Sequence, residues 1–137
     1  MESIQLGLIP IQEDWNYYVL ADGKPFKLML KPKSIGKEST GDGGTLLRVE
    51  FLVLHNLNEL GYSKGQSTGT EQVTKNDVVE FLRFTPIKES INIYQLNKEL
   101  LVVSPALKEM GKTDKFNKDG DRLFYFEVTT KLSWIPQ

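Results

Sequence analysis

A chain of 137 residues with 39% apolar and 26% charged side chains is long enough for one cored domain and too apolar for general disorder. Its 17 basic and 18 acidic residues leave a net charge of −1, balanced in both halves, so the one-signed field typical of nucleic-acid or anionic-membrane binding is missing. The absence of cysteine excludes disulfides, thiolate metal sites, iron–sulfur clusters and a cysteine nucleophile.

The opening MESIQLGLIP has no basic leader region, and no stretch approaches the roughly 18 apolar residues that would span a bilayer. The expected location is cytoplasmic, with no membrane partner. A first strand is expected over about 3–11, an edge or bulged one because Pro10 cannot donate to a ladder. A second follows over 15–21, and ADGKP then forms a hairpin turn in which Asp22-Gly23 supplies the positive-φ position. In the third strand, 25–32, Phe26, Leu28 and Leu30 alternate with Lys27, Met29 and Lys31, which places the first set in the core and the second in water. The fourth, 45–55, directs Leu47, Val49, Phe51 and Val53 to one side. Leu57–Leu60 suits one helical turn capped by Gly61, and the Gly/Ser/Thr-rich 61–72 reads as a flexible connection.

Beyond the connection the same order recurs, at 79–87, 91–97, 99–105 and 122–132. Shifting 4–20 by 76 positions onto 80–96 gives seven identities in seventeen pairs, where about one is expected by chance. They are Leu6/Leu82, Pro10/Pro86, Ile11/Ile87, Glu13/Glu89, Asn16/Asn92, Tyr18/Tyr94 and Leu20/Leu96. DGGTLLRVEF at Asp42 and DGDRLFYFEV at Asp119 add a turn and strand at an offset of 77, and Pro32/Pro105 and Gly36-Lys37/Gly111-Lys112 fall between. The repeat also decides the segment after Thr74. Thr74 and Asp77 could cap a helix, but the counterpart SIQLGLIPI has no helical face, so a strand is expected. The fold class is therefore all-β. Two duplicated four-stranded units (1–56 and 77–137, joined by a linker over 57–76) form one domain, a pseudo-two-fold antiparallel barrel or sandwich. Tyr18 and Tyr94 are expected at equivalent buried sites, because an aromatic kept in both copies serves the fold.

Little in the chain carries chemistry. NKDGD at 117–121 lacks the acidic residue at 115 and the bidentate Glu at 126 of a calcium loop, and a plain turn explains it. GKEST at 36–40 lacks the spacing of a phosphate loop; Gly36 and Gly111 read instead as positive-φ residues where the third strand turns into a loop. His55 is the only histidine and has no nucleophile motif to serve, so no catalytic residue, metal site or cofactor is expected. Glu13/Glu89 and Glu50/Glu127 offer carboxylate pairs across the pseudo-axis, though solvent-facing strand positions account for them. Lys37, Lys112, Lys115 and Lys118 are the candidate ligand or nucleic-acid contacts, the last three in a charged loop interleaved with acids. The aromatics sit mostly on the apolar side of their strands, which favours core packing over base stacking.

One difference between the copies points outward. Where the first carries Lys27 and Met29, the second carries Leu100 and Val102, opposite the core-facing Leu101 and Val103. A strand apolar on both faces is covered on both faces. The expected function is thus a non-enzymatic interaction or assembly module that self-associates or binds a protein partner through Leu100 and Val102. A nucleic-acid-binding barrel is the second reading, and a small-molecule-binding barrel or enzyme the third.

Overall fold

A computed structural model describes residues 2–4, 8–39, 41–43, 45–60, 65–70, 72–96 and 98–136. Its ten strands are β1 (Glu2–Ile4), β2 (Ile9–Gln12), β3 (Asn16–Leu20), β4 (Pro25–Ser39), β5 (Thr45–His55), β6 (Val78–Phe81), β7 (Phe84–Lys88), β8 (Asn92–Leu96), β9 (Glu99–Phe116) and β10 (Arg122–Pro136). They form two five-stranded antiparallel sheets, so the fold is all-β. The expectation of four strands per half falls one short, and a closed barrel is not found.

In the first sheet β5 runs along one side of β4, while β1 and β3 share its other side and β7 lies beyond β3. In the second, β10 runs along β9, β6 and β8 share the far side, and β2 lies beyond β8. Each pairing in one sheet has its counterpart in the other, with one exchange. β2 completes the sheet of the second half and β7 completes the sheet of the first. The expected strands 3–11 and 79–87 are therefore each split in two, because the chain changes sheets along the way. The crossover between β6 and β7 is fixed by Leu82 N–H donating to the Met110 carbonyl and Ala21 N–H donating to that of Arg83.

The exchange makes residues 9–20 run antiparallel to residues 84–95. Pro10 and Pro86 lie in the edge strands β2 and β7, each beside a register shift that leaves Ile11 and Ile87 bulged and exposed. Where the two segments cross, side chains replace the ladder. Asn16 Oδ1 accepts from Ser90 N–H and Asn92 Oδ1 from Asp14 N–H, both at 2.7 Å. The Tyr18 hydroxyl donates to Glu89 at 2.9 Å and that of Tyr94 to Glu13 at 2.7 Å. The two tyrosines are 0% and 2% exposed, as the repeat predicted. Glu13 and Glu89 accept from these buried phenols; Glu89 is exposed, as expected, whereas Glu13 is half-buried.

Two apolar clusters flank this crossing. One joins Tyr18, Leu20, Phe26, Leu28 and Leu57 to Leu107, Met110 and Phe124; the other joins Tyr94, Leu96, Leu101 and Val103 to Ile35, with Val49, Phe51 and Trp134 against them. Each cluster mixes the two halves, so neither half encloses a core alone. The long hairpins β4–β5 and β9–β10 span both clusters, and this is why β4 and β9 extend far past the expected ends at 32 and 105. Gly36 and Gly111 consequently lie inside strands, not at turns, and neither has positive φ. Gly111 is needed because a Cβ there would meet Val78 of β6 at 2.5 Å. Positive φ is found at Gly23 in the ADGKP hairpin, as expected, and at Gly43 and Gly120 in the two long-hairpin turns.

Four further expectations are met in part or change. Thr74 and Asp77 do form a capping box, but it closes a single 3₁₀ turn (Lys75–Asp77) before β6 begins. Leu57–Leu60 is also a 3₁₀ turn, and its proposed cap Gly61 lies outside the described residues. The connection is anchored where it is described: Gly65 N–H donates to the Gly120 carbonyl and Thr68 exchanges hydrogen bonds with Phe116. Finally Met29, expected in water, is only 5% exposed.

Burial and the Glu13 carboxylate raise the Tyr94 pKa far above its ordinary value, and burial raises that of Tyr18. Since the unfolded phenols ionise near pH 10, stability is full below that pH and falls as pH rises above it. Ultraviolet titration should show two of the five tyrosines ionising only together with loss of the β-sheet circular dichroism. Replacing either Tyr18 or Tyr94 by Ala should cost about 3–5 kcal/mol in denaturant unfolding, as for other large buried aromatics.

Candidate functional site

A cavity of about 750 Å³ forms a cleft between the end of β5 and the start of β10. Residues 52–55 and 121–126 form its long walls, with Asn58, Gln72, Val73 and Asn117 closing the ends. Each wall is an edge strand, paired on one side only among the described residues. Consecutive residues line it for that reason, since side chains from both faces of a strand reach its edge.

His55, the last residue of β5, lies at the apolar wall. Its ring meets Phe124 edge-on at 5.4 Å and Phe126 at 5.1 Å between centroids. Nδ1 accepts a hydrogen bond from Leu57 N–H at 3.1 Å, which ties the ring to the 3₁₀ turn. Burial lowers its pKa to about 4, against a small opposing pull from the Asp121 carboxylate. The imidazole is therefore neutral at physiological pH. With Nδ1 accepting, its single proton sits on Nε2.

The other polar groups around the cleft are largely engaged. The Asn58 carboxamide both accepts from Arg122 N–H and donates to the Arg122 carbonyl at 3.3 Å, as a neighbouring strand would. The Arg122 guanidinium donates to the Thr113 carbonyl, stands 4.7 Å over the Phe116 ring and lies 4.0 Å from Asp114. Asn117 Oδ1 accepts from both Asp119 and Asp121 N–H, which fixes NKDGD as the tight turn that its composition implied.

The candidate lysines are divided between the two sheets. Lys37 belongs to β4 in the first sheet, whereas Lys112 and Lys115 lie in β9 of the second and Lys118 in the turn after it. The expected charged loop is thus mostly strand, because β9 continues to Phe116 to pair with β6 and β10. Lys112 is paired with Glu80 at 3.2 Å. Leu100 and Val102 do leave the face opposite Leu101 and Val103, and both are half-buried.

Sequence reasoning set His55 aside as a lone histidine at a strand end. The repeat held a usable signal: at the offset of 77 its counterpart is Leu132, so a titratable ring replaces an aliphatic side chain at one of two equivalent positions.

The depressed His55 pKa makes the fold acid-sensitive in a defined window. The unfolded ring takes up a proton near pH 6.5 and the folded one only near 4, so stability is full above about 6.5 and declines as pH falls towards 4. The decline should be on the order of 3 kcal/mol. Urea unfolding from pH 7 to 4 should show it in the wild type, and His55→Phe should remove most of that slope.

No helix among the described residues is long and apolar enough to cross a membrane. Compared with protein families, curated proteins and solved structures, the chain matches none.

Proposed function

We propose that the chain is a non-enzymatic assembly module that pairs with a second copy of itself through the outer face of the second sheet. The observation that carries this reading is a patch of two adjacent rows of side chains. Ile9, Gln95, Leu100 and Ile135 stand opposite one another across β2, β8, β9 and β10, and Gln12, Ile93, Val102 and Ser133 form the next row. Five of these eight positions are apolar, and none carries a charge. Ile9 is 59% and Ile135 43% exposed, so the patch is open to solvent in the single chain.

The corresponding face of the first sheet is built differently. Lys27 places its ammonium 4.4 Å over the Trp15 ring, Met29 is buried, and Tyr17 pairs across to both Lys27 and Lys88. Charges next to the aromatics keep that face compatible with water. In the second half Ile91 stands where Trp15 does; the strand registers put Val102 where Lys27 stands and Leu100 where Pro25 stands, correcting the alignment of Leu100 with Lys27 and Val102 with Met29. Covering an exposed side chain of this size contributes roughly 1.5–3 kcal/mol, and a second copy supplies the same uncharged surface symmetrically about a two-fold axis.

The same reading takes the halves as copies of one five-stranded unit. The ordered identities, the matching pairings in both sheets and the reciprocal Tyr–Glu and Asn–amide bonds support it. Divergence after such a duplication would free one outer face for association while the other stayed solvated.

Light scattering at tens of micromolar should return a dimer mass for the wild type. Changing Leu100 and Val102 together to Lys should give a monomer with unchanged circular dichroism. A wild-type chain that stays monomeric at about millimolar concentration would rule the proposal out.

A further inference from the structure

We infer that the cleft between β5 and β10 is a binding site for a neutral, mostly apolar small molecule of ring character whose carbonyl oxygen accepts a hydrogen bond from His55 Nε2. The inference does not depend on self-association, since the cleft and the outer face of the second sheet are formed by different residues.

Size is the first argument. About 750 Å³ lies within the roughly 300–1,000 Å³ that enclose small ligands, and the long walls are predominantly leucine, phenylalanine and tyrosine. The second argument is the state of the polar groups. Asn58 is engaged at both ends by Arg122, the Asn117 oxygen by its own turn, and the Arg122 guanidinium by Thr113 and Phe116. These groups shape the cleft, although the buried Arg122 Nε has no hydrogen-bond partner among the described residues. His55 offers a donor at the apolar wall. Leu57 occupies its acceptor nitrogen, and among the described residues nothing accepts from the donor nitrogen on the other side of the ring. That donor nitrogen keeps contact with solvent, so a ligand oxygen would take the place of water there.

Charge narrows the ligand further. The acidic Asp121 and basic Arg122 are adjacent on one wall, so the cleft presents no net charge to favour an anion or a cation. The ring of His55 is uncharged above about pH 4. A carbonyl or similar neutral acceptor on an apolar ring system meets both conditions, and the half-buried Phe126 ring beside His55 gives it an aromatic neighbour.

Nile red is a fitting probe, being neutral, polycyclic and equipped with a ring carbonyl whose hydrogen bonding shifts its emission. Titrated against the full chain at pH 7, it should bind saturably at one molecule per chain, with a rise and blue shift in emission. Leu52 is 51% exposed and lines the cleft, so Leu52→Arg should fold normally and weaken binding at least tenfold. His55→Phe should weaken it several-fold and move the bound emission further to the blue, as expected when the carbonyl loses its donor. Nitrogen-15 NMR on the wild type should place the shifts at residues 52–55 and 121–126, which tests the site even if His55→Phe folds poorly. Absence of saturable binding would overturn the inference. So would binding that survives Leu52→Arg but disappears when Leu100 and Val102 are changed to Lys, because the probe would then be reading the outer face.

Discussion

The structure depends on the place where residues 13–16 cross residues 89–92. Two buried carboxamides and two buried phenols meet there, and each finds its partner in the opposite half. A buried amide or phenol without a partner is costly, on the order of 1–3 kcal/mol each, so the two halves are held in one relative position by what would otherwise be four separate penalties. The exchange of β2 and β7 has the same origin. Once Asn16 and Asn92 bind the backbone amides of Ser90 and Asp14, the strands on either side must continue into the other half's sheet. The mixed composition of both apolar clusters follows. Packing and polar satisfaction thus specify the same arrangement, which is the condition for a unique fold.

The crossing is not fully symmetric. Asn16 Nδ2 donates to the Tyr18 hydroxyl and to the Pro105 carbonyl, whereas Asn92 Nδ2 is buried without a partner. The Tyr18 oxygen in turn accepts from Leu107 N–H, so its side of the hub is saturated. Among the described residues the Tyr94 hydroxyl bonds to Glu13 alone, and Glu13 also lies 3.5 Å from Lys31. The first half therefore contributes the better-satisfied side chains of the hub, while the second departs from the shared pattern in two places. One of those places is this amide and the other is the uncharged outer face.

Much of this was legible in the sequence, and what was missed has a common cause. Pro10/Pro86, Glu13/Glu89, Asn16/Asn92 and Tyr18/Tyr94 marked the hub as a set of repeated residues, and alternation placed Phe26, Leu28, Leu30 and Phe124 in the core correctly. Periodicity assigns a residue to a face of its strand, but it does not say which strand lies alongside. The strand exchange, the split of 3–11 and 79–87, and the strand positions of Gly36 and Gly111 all depend on partners distant in the chain. Met29 shows the same limit, since alternation put it outward correctly but could not reveal that the outer face is closed there. The cleft was illegible for that reason too. Its walls are about seventy residues apart in sequence, and His55 gains its character only when Phe124 and Phe126 stand beside it.

The two sites that remain open differ in how they relate to the shared plan. The outer face is a position present in both halves and charged in only one of them. The cleft is specific to one side in sequence: His55, Asp121 and Arg122 correspond to Leu132, Gly44 and Thr45, so none of its polar residues recurs at the equivalent position. The hub does not constrain either site, because its hydrogen bonds lie between the sheets and both sites lie on strand edges or outer faces. A frame fixed at its centre by reciprocal bonds leaves such peripheral positions free to change without loss of the fold. Function in this chain is therefore to be sought where the two halves differ, and the residues they share explain why those differences are tolerated.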